Sequence, residues 1–542
     1  MTQLSSQTAR AGALIDKDAL RVAKPIIEAI CASTGTPGLA IATFDGSGTI
    51  LESYHGYRDV GKEQVPNAET VFNLGSMCKG FTALAAACLV ADKQLQWDDP
   101  IDLFLESLKG TSNGKFTIRD LLSHRTGLSR SDALFIGSDN QLLLSKAQGL
   151  DIFASLNAAA AARSEFIYNN FGYHAVGCVI EKISTMNYGE FLAKRIFEPL
   201  NMTRTFTKLP ALADQNVSRA YMPFQDLRLR EVPTPRISDD TVAFAAGCIR
   251  SCVRDLSIFY RALLRSFDGF MTKSVFDDLE RIIGDIPAIF EAIVPLHTPQ
   301  ILREHSYAMG WARTQLPNQM SELSGNSGLL PIFPTIGDVF HSPLLFHHGG
   351  NNVGCSSTVY LFPELGCGLV VLGNALGHCD ATDWTAQLMT EACFFGGVKT
   401  HFLQYVKEAA SYGRSAMERV QRMLDNEKKP GKPASSLDRY KGTYWHKTRK
   451  FCIVASTRKH DGQEELNMSL QGRDNEQYVL RHYYEDTFVF NQTFDEVVNR
   501  GQWCRPYWFY KVEFLIRRSQ QDAIRWRIDD TEEQGQIFTK LD

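Results

Sequence analysis

The sequence lacks an uninterrupted run of about eighteen apolar residues, so it predicts no membrane-spanning helix. Its N-terminus lacks the charged stretch followed by an apolar core that marks a secretory signal. Charge of one sign is not in excess either, because the formal net charge is only -4, and a nucleic-acid partner is therefore not expected. The composition, with 44% hydrophobic and 22% charged residues, predicts a globular protein. A cytoplasmic location is expected, and an organelle is the alternative.

The twelve cysteines include no Cys-x-x-Cys pair. Cys248 and Cys252 lie close together in "GCIRSCVRD", but no matching His or Cys pair accompanies them, which argues against a zinc site. Several other cysteines fall within apolar segments, and this favours buried thiols in a reducing compartment over a disulfide framework. We expect neither a metal ion nor another cofactor.

Two segments, Gly38–Val60 and Ser357–Ala375, alternate apolar residues around a turn and predict β-hairpins. Helical patterns fill much of the region between them. The expected fold class is therefore α+β: an antiparallel β-sheet flanked by helices, with a helical subdomain attached.

The clearest boundary is the charged, Pro/Gly/Ser-rich linker "DNEKKPGKPASS", which follows a predicted amphipathic helix over His401–Leu424. After it, short runs rich in aromatic and β-branched residues predict a small β-barrel or sandwich. We divide the chain into an N-terminal extension (1–23), a large α+β domain (24–400), a helix and linker (401–435) and a C-terminal β-domain (436–542).

Ser76 and Lys79 stand three residues apart at the start of the apolar run "FTALAAACLVA". Residues at this spacing share one face of a helix, so Lys79 can reach the Ser76 hydroxyl. Burial on an apolar helix lowers the pKa of a lysine and lets it accept a proton. Ser76 is thus a candidate nucleophile with its own base; alternatively, it is an ordinary helix N-cap.

Two further motifs follow along the chain. Tyr168 and Asn170 lie two apart in "FIYNNFGYHAVG", just before an apolar helix, where Tyr168 could instead pack in the core and Asn170 could cap the helix. In "FHHGGNNVG", Gly349 and Gly350 let backbone approach a ligand closely, although a simple turn would explain them equally well.

In this order, S-x-x-K, Tyr-x-Asn and His-Gly-Gly resemble the serine β-lactamase and penicillin-binding-protein superfamily. The pattern is most similar to the class C β-lactamase and family VIII carboxylesterase branch, and the resemblance covers roughly Lys24 to Val398. It implies a β-lactamase/transpeptidase-like catalytic domain over 24–400 and a lipocalin-like C-terminal β-barrel.

The resemblance also implies roles for individual residues. Ser76 would be the acylated nucleophile, and Lys79 and Tyr168 would share proton transfer. Asn170 would bind a substrate carbonyl or orient Lys79. The backbone N–H groups of Ser76 and Asn351 would form the oxyanion hole, next to His348, Gly349 and Gly350.

Two departures from the family pattern matter. Relatives usually have Lys-Thr-Gly where this chain has His348-Gly349-Gly350, which weakens the expectation of carboxylate recognition and favours the branch that acts on simple esters. Sequence leaves open whether His347 or His348 faces the site, and we favour His348. The second departure is a long Gly- and Pro-rich segment before "FHHGG", which is either a lid or a surface insertion.

The leading functional hypothesis is a serine hydrolase that forms an acyl-enzyme on Ser76 and cleaves small-molecule esters or amides. One alternative is an acyltransferase of secondary metabolism that passes the same acyl group, taken from an ester, amide or acyl thioester, to an alcohol or amine. Another is an inactive binding or scaffold protein. The β-domain could bind an apolar part of the substrate, contact a second subunit or brace the catalytic domain; no oligomeric state is predicted.

Overall fold

The computed structural model describes residues 18–541, apart from 212, 273–285, 297–301, 434, 461–462 and 517–520. Most of the predicted N-terminal extension therefore lies outside the described residues. The α-helices of the described part are α1 (Ala19–Thr34), α2 (Cys78–Ala91), α3 (Ile118–Leu122), α4 (Lys146–Ser155), α5 (Asn170–Ser184), α6 (Tyr188–Leu192), α7 (Phe244–Gly247), α8 (Val253–Thr272), α9 (Ile286–Ile289), α10 (Ala381–Phe394), α11 (Phe402–Arg414), α12 (Ala416–Glu427), α13 (Leu437–Tyr440) and α14 (Phe494–Asn499).

The β-strands fall into two groups along the chain. The first group is β1 (Gly38–Asp45), β2 (Thr49–Gly56), β3 (Phe72–Asn73), β4 (Ala220–Pro223), β5 (Leu229–Val232), β6 (Arg250–Ser251), β7 (Val294–Pro295), β8 (His305–Tyr307), β9 (Ala312–Gln315), β10 (Asn318–Gln319), β11 (Thr335–Ile336), β12 (Leu344–Asn352), β13 (Cys355–Phe362) and β14 (Cys367–Gly373). The second group is β15 (Gly442–Trp445), β16 (Cys452–His460), β17 (Gln463–Leu470), β18 (Gln477–Tyr484), β19 (Thr487–Val489), β20 (Lys511–Leu515), β21 (Ala523–Trp526) and β22 (Gln536–Leu541).

The first group builds an eight-stranded antiparallel sheet in the order β2-β1-β14-β13-β12-β9-β8-β7. Both predicted hairpins lie in it, because β1 pairs with β2 and β13 pairs with β14. The turn between β13 and β14 ends at Gly366, whose φ of 63° suits glycine. Strands from the first and last parts of this region, β1 and β14, thus lie side by side in the sheet.

Alternation along β1 explains how the sheet is covered on two sides. Leu39 and Ile41 belong to a cluster with residues of α1, α10 and α11, whereas Ala40 and Ala42 belong to the cluster that contains α2 and α8. Successive residues of a strand point to opposite faces, so a strand buried on both sides is apolar throughout. The predicted α+β class is confirmed.

Helix α2 is buried along almost its whole length, from Cys78 to Leu89. Helix α5 packs against it, and α5 and α6 are separated at Asn187, where two helices were predicted to meet. The Asn187 side chain caps α6 by accepting a hydrogen bond from the Gly189 N–H. These elements form the helical subdomain beside the sheet.

The prediction of a single amphipathic helix over His401–Leu424 is wrong, because α11 and α12 are separate helices. They break at Ser415, whose φ of -88° and ψ of 11° are not helical. The two halves have different partners: α11 packs on α1, whereas Met417 and Leu424 of α12 belong to the cluster that includes the C-terminal strands. A straight helix could not serve both surfaces.

The second group of strands closes into an eight-stranded β-barrel, in which β15 pairs with both β16 and β22. The barrel predicted for the C-terminal domain is confirmed. Its core residues belong to the same hydrophobic cluster as those of the helical subdomain. The two parts of the chain therefore share a continuous apolar interior.

Within the described ranges, no helix combines the length and apolar character needed to cross a membrane. Nor is there a disulfide among these residues, and most of the twelve cysteines are buried.

Candidate active site

A cavity of about 670 Å³ lies where the helical subdomain, strand β12, the segment 322–327 and the barrel meet. Ser76, Tyr168, Asn170 and His348 all line it. Gly349 and Asn351 line it as well. Residues from three distant motifs of the sequence are thus brought to one cavity.

Ser76 occupies the 3-10 turn Gly75–Met77 that leads into α2. Met77 is the N-cap position of α2, and no capping hydrogen bond comes from a side chain there. Ser76 therefore does not act as the ordinary helix cap that its sequence position allowed. Its side chain faces the cavity and the amine of Lys79.

Lys79 has its Nζ 3.0 Å from the Oγ of Ser76. The same Nζ lies 2.9 Å from Asn170 Oδ1 and 3.2 Å from the carbonyl oxygen of Ala246, and both of these oxygens can only accept hydrogen bonds. A neutral amine has two N–H groups and one lone pair. When the N–H groups serve the two oxygens, the lone pair is left for the Ser76 hydroxyl.

The charge state of Lys79 follows from its surroundings. Its side chain is completely buried, and this burial lowers its pKa from the ordinary value of 10.5 to about 7. The nearby Asp132 opposes the shift and Arg130 adds to it. A large fraction of the amine is therefore neutral near pH 7.

The two adjacent asparagines, Asn169 and Asn170, have different roles. Asn169, not Asn170, is the N-cap of α5, and its side chain accepts a hydrogen bond from the Gly172 N–H at 2.8 Å. Asn170 is thereby free to point toward Lys79. Its Nδ2 donates to the Asp132 carboxylate at 3.0 Å, which fixes the amide with Oδ1 toward Lys79.

The ring of Tyr168 lies 4.6 Å from the Nζ of Lys79, and its phenol is close enough to the Ser76 hydroxyl to be affected by it. Burial raises the pKa of this phenol above its ordinary value, and the neighbouring Ser76 hydroxyl only partly opposes that rise. The ring stacks near His124, whose Nδ1 accepts a hydrogen bond from the Asn169 N–H. His124 thus supports both Tyr168 and the start of α5.

Sequence reasoning did not assign roles to His124 or Asp132. The phrase "SHRTGL" around His124 carried the signal for the first. Asp132 had no local signal, because it meets Asn170 only after folding.

Strand β12 approaches Ser76 so closely that side chains are excluded. A Cβ atom on Gly350 would clash with the Leu74 carbonyl oxygen and lie 2.8 Å from the Ser76 nitrogen. A Cβ atom on Gly75 would lie 2.9 Å from the Asn351 nitrogen. The backbone nitrogens of Ser76 and Asn351 are therefore neighbours, and glycine is needed to keep them so.

His348, not His347, lines the cavity. Its Nδ1 lies 2.5 Å from the Gly349 carbonyl oxygen, which can only accept, so Nδ1 carries the proton and Nε2 accepts from the Tyr307 hydroxyl at 3.0 Å. Burial lowers the pKa of His348 to about 3, and this histidine is therefore neutral. His347 contacts Thr314 at 2.9 Å.

The segment expected to be either a lid or a surface insertion contributes directly to the cavity through residues such as Leu323 and Ser327. It is held by buried carboxylates of the α10 start: Asp380 accepts from the Gly325 N–H, and Asp383 accepts from the Asn326 side chain. Burial raises the pKa of Asp383 to about 6. Its role as a moving lid stays a prediction.

The barrel supplies the remaining part of the wall through Trp503, Arg505, Asp530 and Thr531. Sequence reasoning did not place these residues near the site.

The barrel also holds the segment 129–145, which carries Asp132. The Asp529 carboxylate accepts from the Ser131 N–H at 2.6 Å, and the fully buried Glu476 accepts from the Ser138 N–H at 2.6 Å. Barrel contacts thus reach the neighbourhood of Lys79 through Asp132 and Asn170.

A family model described as Beta-lactamase matches residues 23–391. The chain belongs to the beta-lactamase family. The recognition made from the three motifs is therefore confirmed.

This beta-lactamase family member is 25% identical over 508 residues to the unguisins hydrolase of Aspergillus violaceofuscus, with 85% of this chain and 78% of that protein covered. It is 22% identical over 251 residues to the beta-lactamase of Escherichia coli, with 46% of this chain and 61% of that protein covered. Among solved structures, the octameric penicillin-binding protein homologue from Pyrococcus abyssi shares the fold, with a TM-score of 0.58 and 20% identity over 96% of this chain and 100% of that one.

Proposed function

We propose that this family member is a serine hydrolase that forms an acyl-enzyme on Ser76 and cleaves esters or amides of small molecules. One observation carries the proposal: the Ser76 hydroxyl lies 3.0 Å from a buried amine whose pKa is about 7. A serine is a weak nucleophile until a neighbouring base takes its proton, and Lys79 meets that requirement near neutral pH.

In the acylation step, Lys79 takes the hydroxyl proton as Ser76 Oγ attacks the substrate carbonyl carbon. Negative charge then develops on the carbonyl oxygen, and the N–H groups of Ser76 and Asn351 stabilise it. The loss of one such donor costs about 3 to 4 kcal/mol of barrier. The proton passes through Tyr168 to the departing alcohol or amine, and the bond between acyl carbon and leaving group breaks.

Deacylation reverses the roles. Tyr168 and Lys79 accept a proton from water as its oxygen attacks the acyl carbon, and the proton returns to Ser76 as the ester bond breaks. The carboxylic acid leaves and the hydroxyl is restored. No cofactor is required for either step.

The relative from Aspergillus violaceofuscus is named a hydrolase, which supports hydrolysis as the reaction. Its match covers 508 residues and therefore extends beyond residues 23–391 of the family model. An acyltransferase would use the same acyl-enzyme with an alcohol or amine in place of water. Product analysis with and without added alcohol separates the two outcomes.

The test is intact-protein mass spectrometry after incubation with a fluorophosphonate and with a panel of p-nitrophenyl esters, acyl thioesters and nitrocefin. We expect one adduct on the wild-type chain and none on Ser76→Ala. The matched control is Ser327→Ala, which removes another serine hydroxyl from the same cavity and should label normally. An unlabelled wild type would favour the inactive scaffold, and an adduct retained by Ser76→Ala would move the nucleophile elsewhere.

A further inference from the structure

Arg505 comes from the barrel, yet it lines the cavity that contains Ser76. It also borders a smaller cavity of about 40 Å³ at the barrel mouth, too small for a ligand of the size that the main cavity accepts. The guanidinium lies 5.5 Å from the Phe509 ring, and the Arg505 backbone N–H donates to the Tyr510 hydroxyl. Neighbouring residues of the barrel domain, Phe509 and Tyr510, thus hold Arg505 in position.

The Arg505 guanidinium has no ion pair within 4.0 Å among the residues that the structure describes. Burial and the neighbouring cation of Arg130 both lower its pKa, and Asp132 and Asp529 oppose this from a distance. A partly buried charge without a contacting counter-ion is costly, so its persistence in a cavity wall points to a ligand.

Of the three aspartates nearby, two already have partners. Asp132 accepts from Asn170 and lies 3.6 Å from Arg130. Asp529 accepts from the Ser131 N–H and the Thr531 hydroxyl. Asp530 is exposed to solvent at the rim. Arg505 is left as the cation available to a bound molecule.

Strand β12 offers no competing cation, because His348 is neutral and both of its ring nitrogens are engaged. Lys79 is engaged with Ser76, Asn170 and Ala246. A guanidinium donates two parallel hydrogen bonds to a carboxylate, which a neutral imidazole cannot do. Arg130 is the other guanidinium among the described lining residues, but it is paired with Asp132. Arg505 is therefore the guanidinium of the described lining that has no ion pair to compete with a carboxylate.

Resting on the proposed function, we infer that Arg505 binds a carboxylate group of the substrate that lies away from the scissile carbonyl. The preferred substrates are then esters or amides whose acyl part carries a second, ionised carboxyl group. Selection would reside on the barrel, while bond cleavage would reside on the Ser76 turn.

The experiment compares p-nitrophenyl hexanoate with mono-p-nitrophenyl adipate, which have acyl chains of equal carbon number and differ by the terminal carboxylate. We expect the ratio of kcat/KM values, adipate over hexanoate, to fall at least tenfold in Arg505→Gln and by less in Arg505→Lys. The matched control is Arg525→Gln, whose side chain is exposed on the barrel and pairs with Glu513. It should leave both rates unchanged.

An unchanged ratio in Arg505→Gln, or an equal fall for both esters, would overturn the inference while leaving the proposed function standing. Thermal unfolding and fluorophosphonate labelling of each variant report whether the fold and Ser76 are intact. If the wild type hydrolyses neither ester, calorimetric binding to Ser76→Ala decides instead. Binding of the adipate ester in preference to the hexanoate ester supports the inference, and equal or absent binding of both overturns it.

Discussion

A change of pH perturbs the pair formed by Ser76 and Lys79 without altering any atom of the chain. An ordinary lysine with a pKa of 10.5 is neutral in about one molecule in 3,000 at pH 7. Burial lowers the Lys79 pKa to about 7, so roughly half of the amines are neutral at that pH. The difference corresponds to about 5 kcal/mol in favour of the neutral form.

We therefore expect the rate of Ser76 labelling by a fluorophosphonate to rise about tenfold per pH unit below pH 7 and then to level off. The raised pKa of the Tyr168 phenol predicts no ionisation of that group below pH 10, and hence no fall at the alkaline end. The measurement is the second-order labelling rate from pH 5 to pH 9.5.

The control is Lys79→Arg, since a guanidinium cannot accept the proton at these pH values. Its labelling rate should fall about a thousandfold, and the dependence on pH around 7 should disappear. A wild-type profile that is flat from pH 5 to pH 9, or that still climbs above pH 9, would refute the assignment of Lys79 as the base.

Further predictions concern stability and positioning. Because folding favours neutral Lys79, the unfolded chain binds more protons between pH 7 and 10.5, and wild-type stability rises with pH across that range. Lys79→Met should therefore be more stable by about 1 to 3 kcal/mol at pH 7, with an advantage in calorimetric unfolding that shrinks toward pH 10. Tyr168→Phe removes the hydroxyl that meets Ser76 and should lower kcat by about a hundredfold or more with little change in Tm; an undiminished kcat would exclude Tyr168 from proton transfer. Asn169→Ala should cost about 1 kcal/mol of stability through the lost cap of α5, and an equal cost for Asn170→Ala would contradict the division between the two asparagines. Glu476→Ala leaves the Ser138 N–H and the Tyr478 hydroxyl without their acceptor and should cost about 3 kcal/mol or more, whereas an unchanged Tm would show that this contact does not hold the barrel.

Local spacing explains why the pair of Ser76 and Lys79 could be predicted. Residues three apart at the start of a helix lie on the same face, so their contact depends only on local structure. The apolar run that follows predicts burial of the helix, and burial lowers the pKa of the Lys79 amine. The hairpins of the sheet were equally accessible, because alternation and a turn are adjacent in sequence.

Other features could not be predicted from the spacing of residues in the sequence. Asn169 and Asn170 are identical neighbours, and only the extended backbone of Asn169, with φ of -141° and ψ of 112°, makes it the cap. The break at Ser415 arises because α11 and α12 pack on different surfaces. Arg505 and Asp132 reach the cavity through docking of the barrel, a contact between segments far apart in the chain.

The barrel's place in the cavity wall has a consequence for how proteins of this architecture can diversify. The loops that carry Trp503 and Thr531 belong to a body whose strands close on themselves, so changes in those loops need not disturb the packing of α2. Substitutions in these barrel loops can therefore change which molecules fit the cavity, while the part of the cavity that contains Ser76 stays the same. A truncation at the linker would remove that freedom together with the support of residues 129–145.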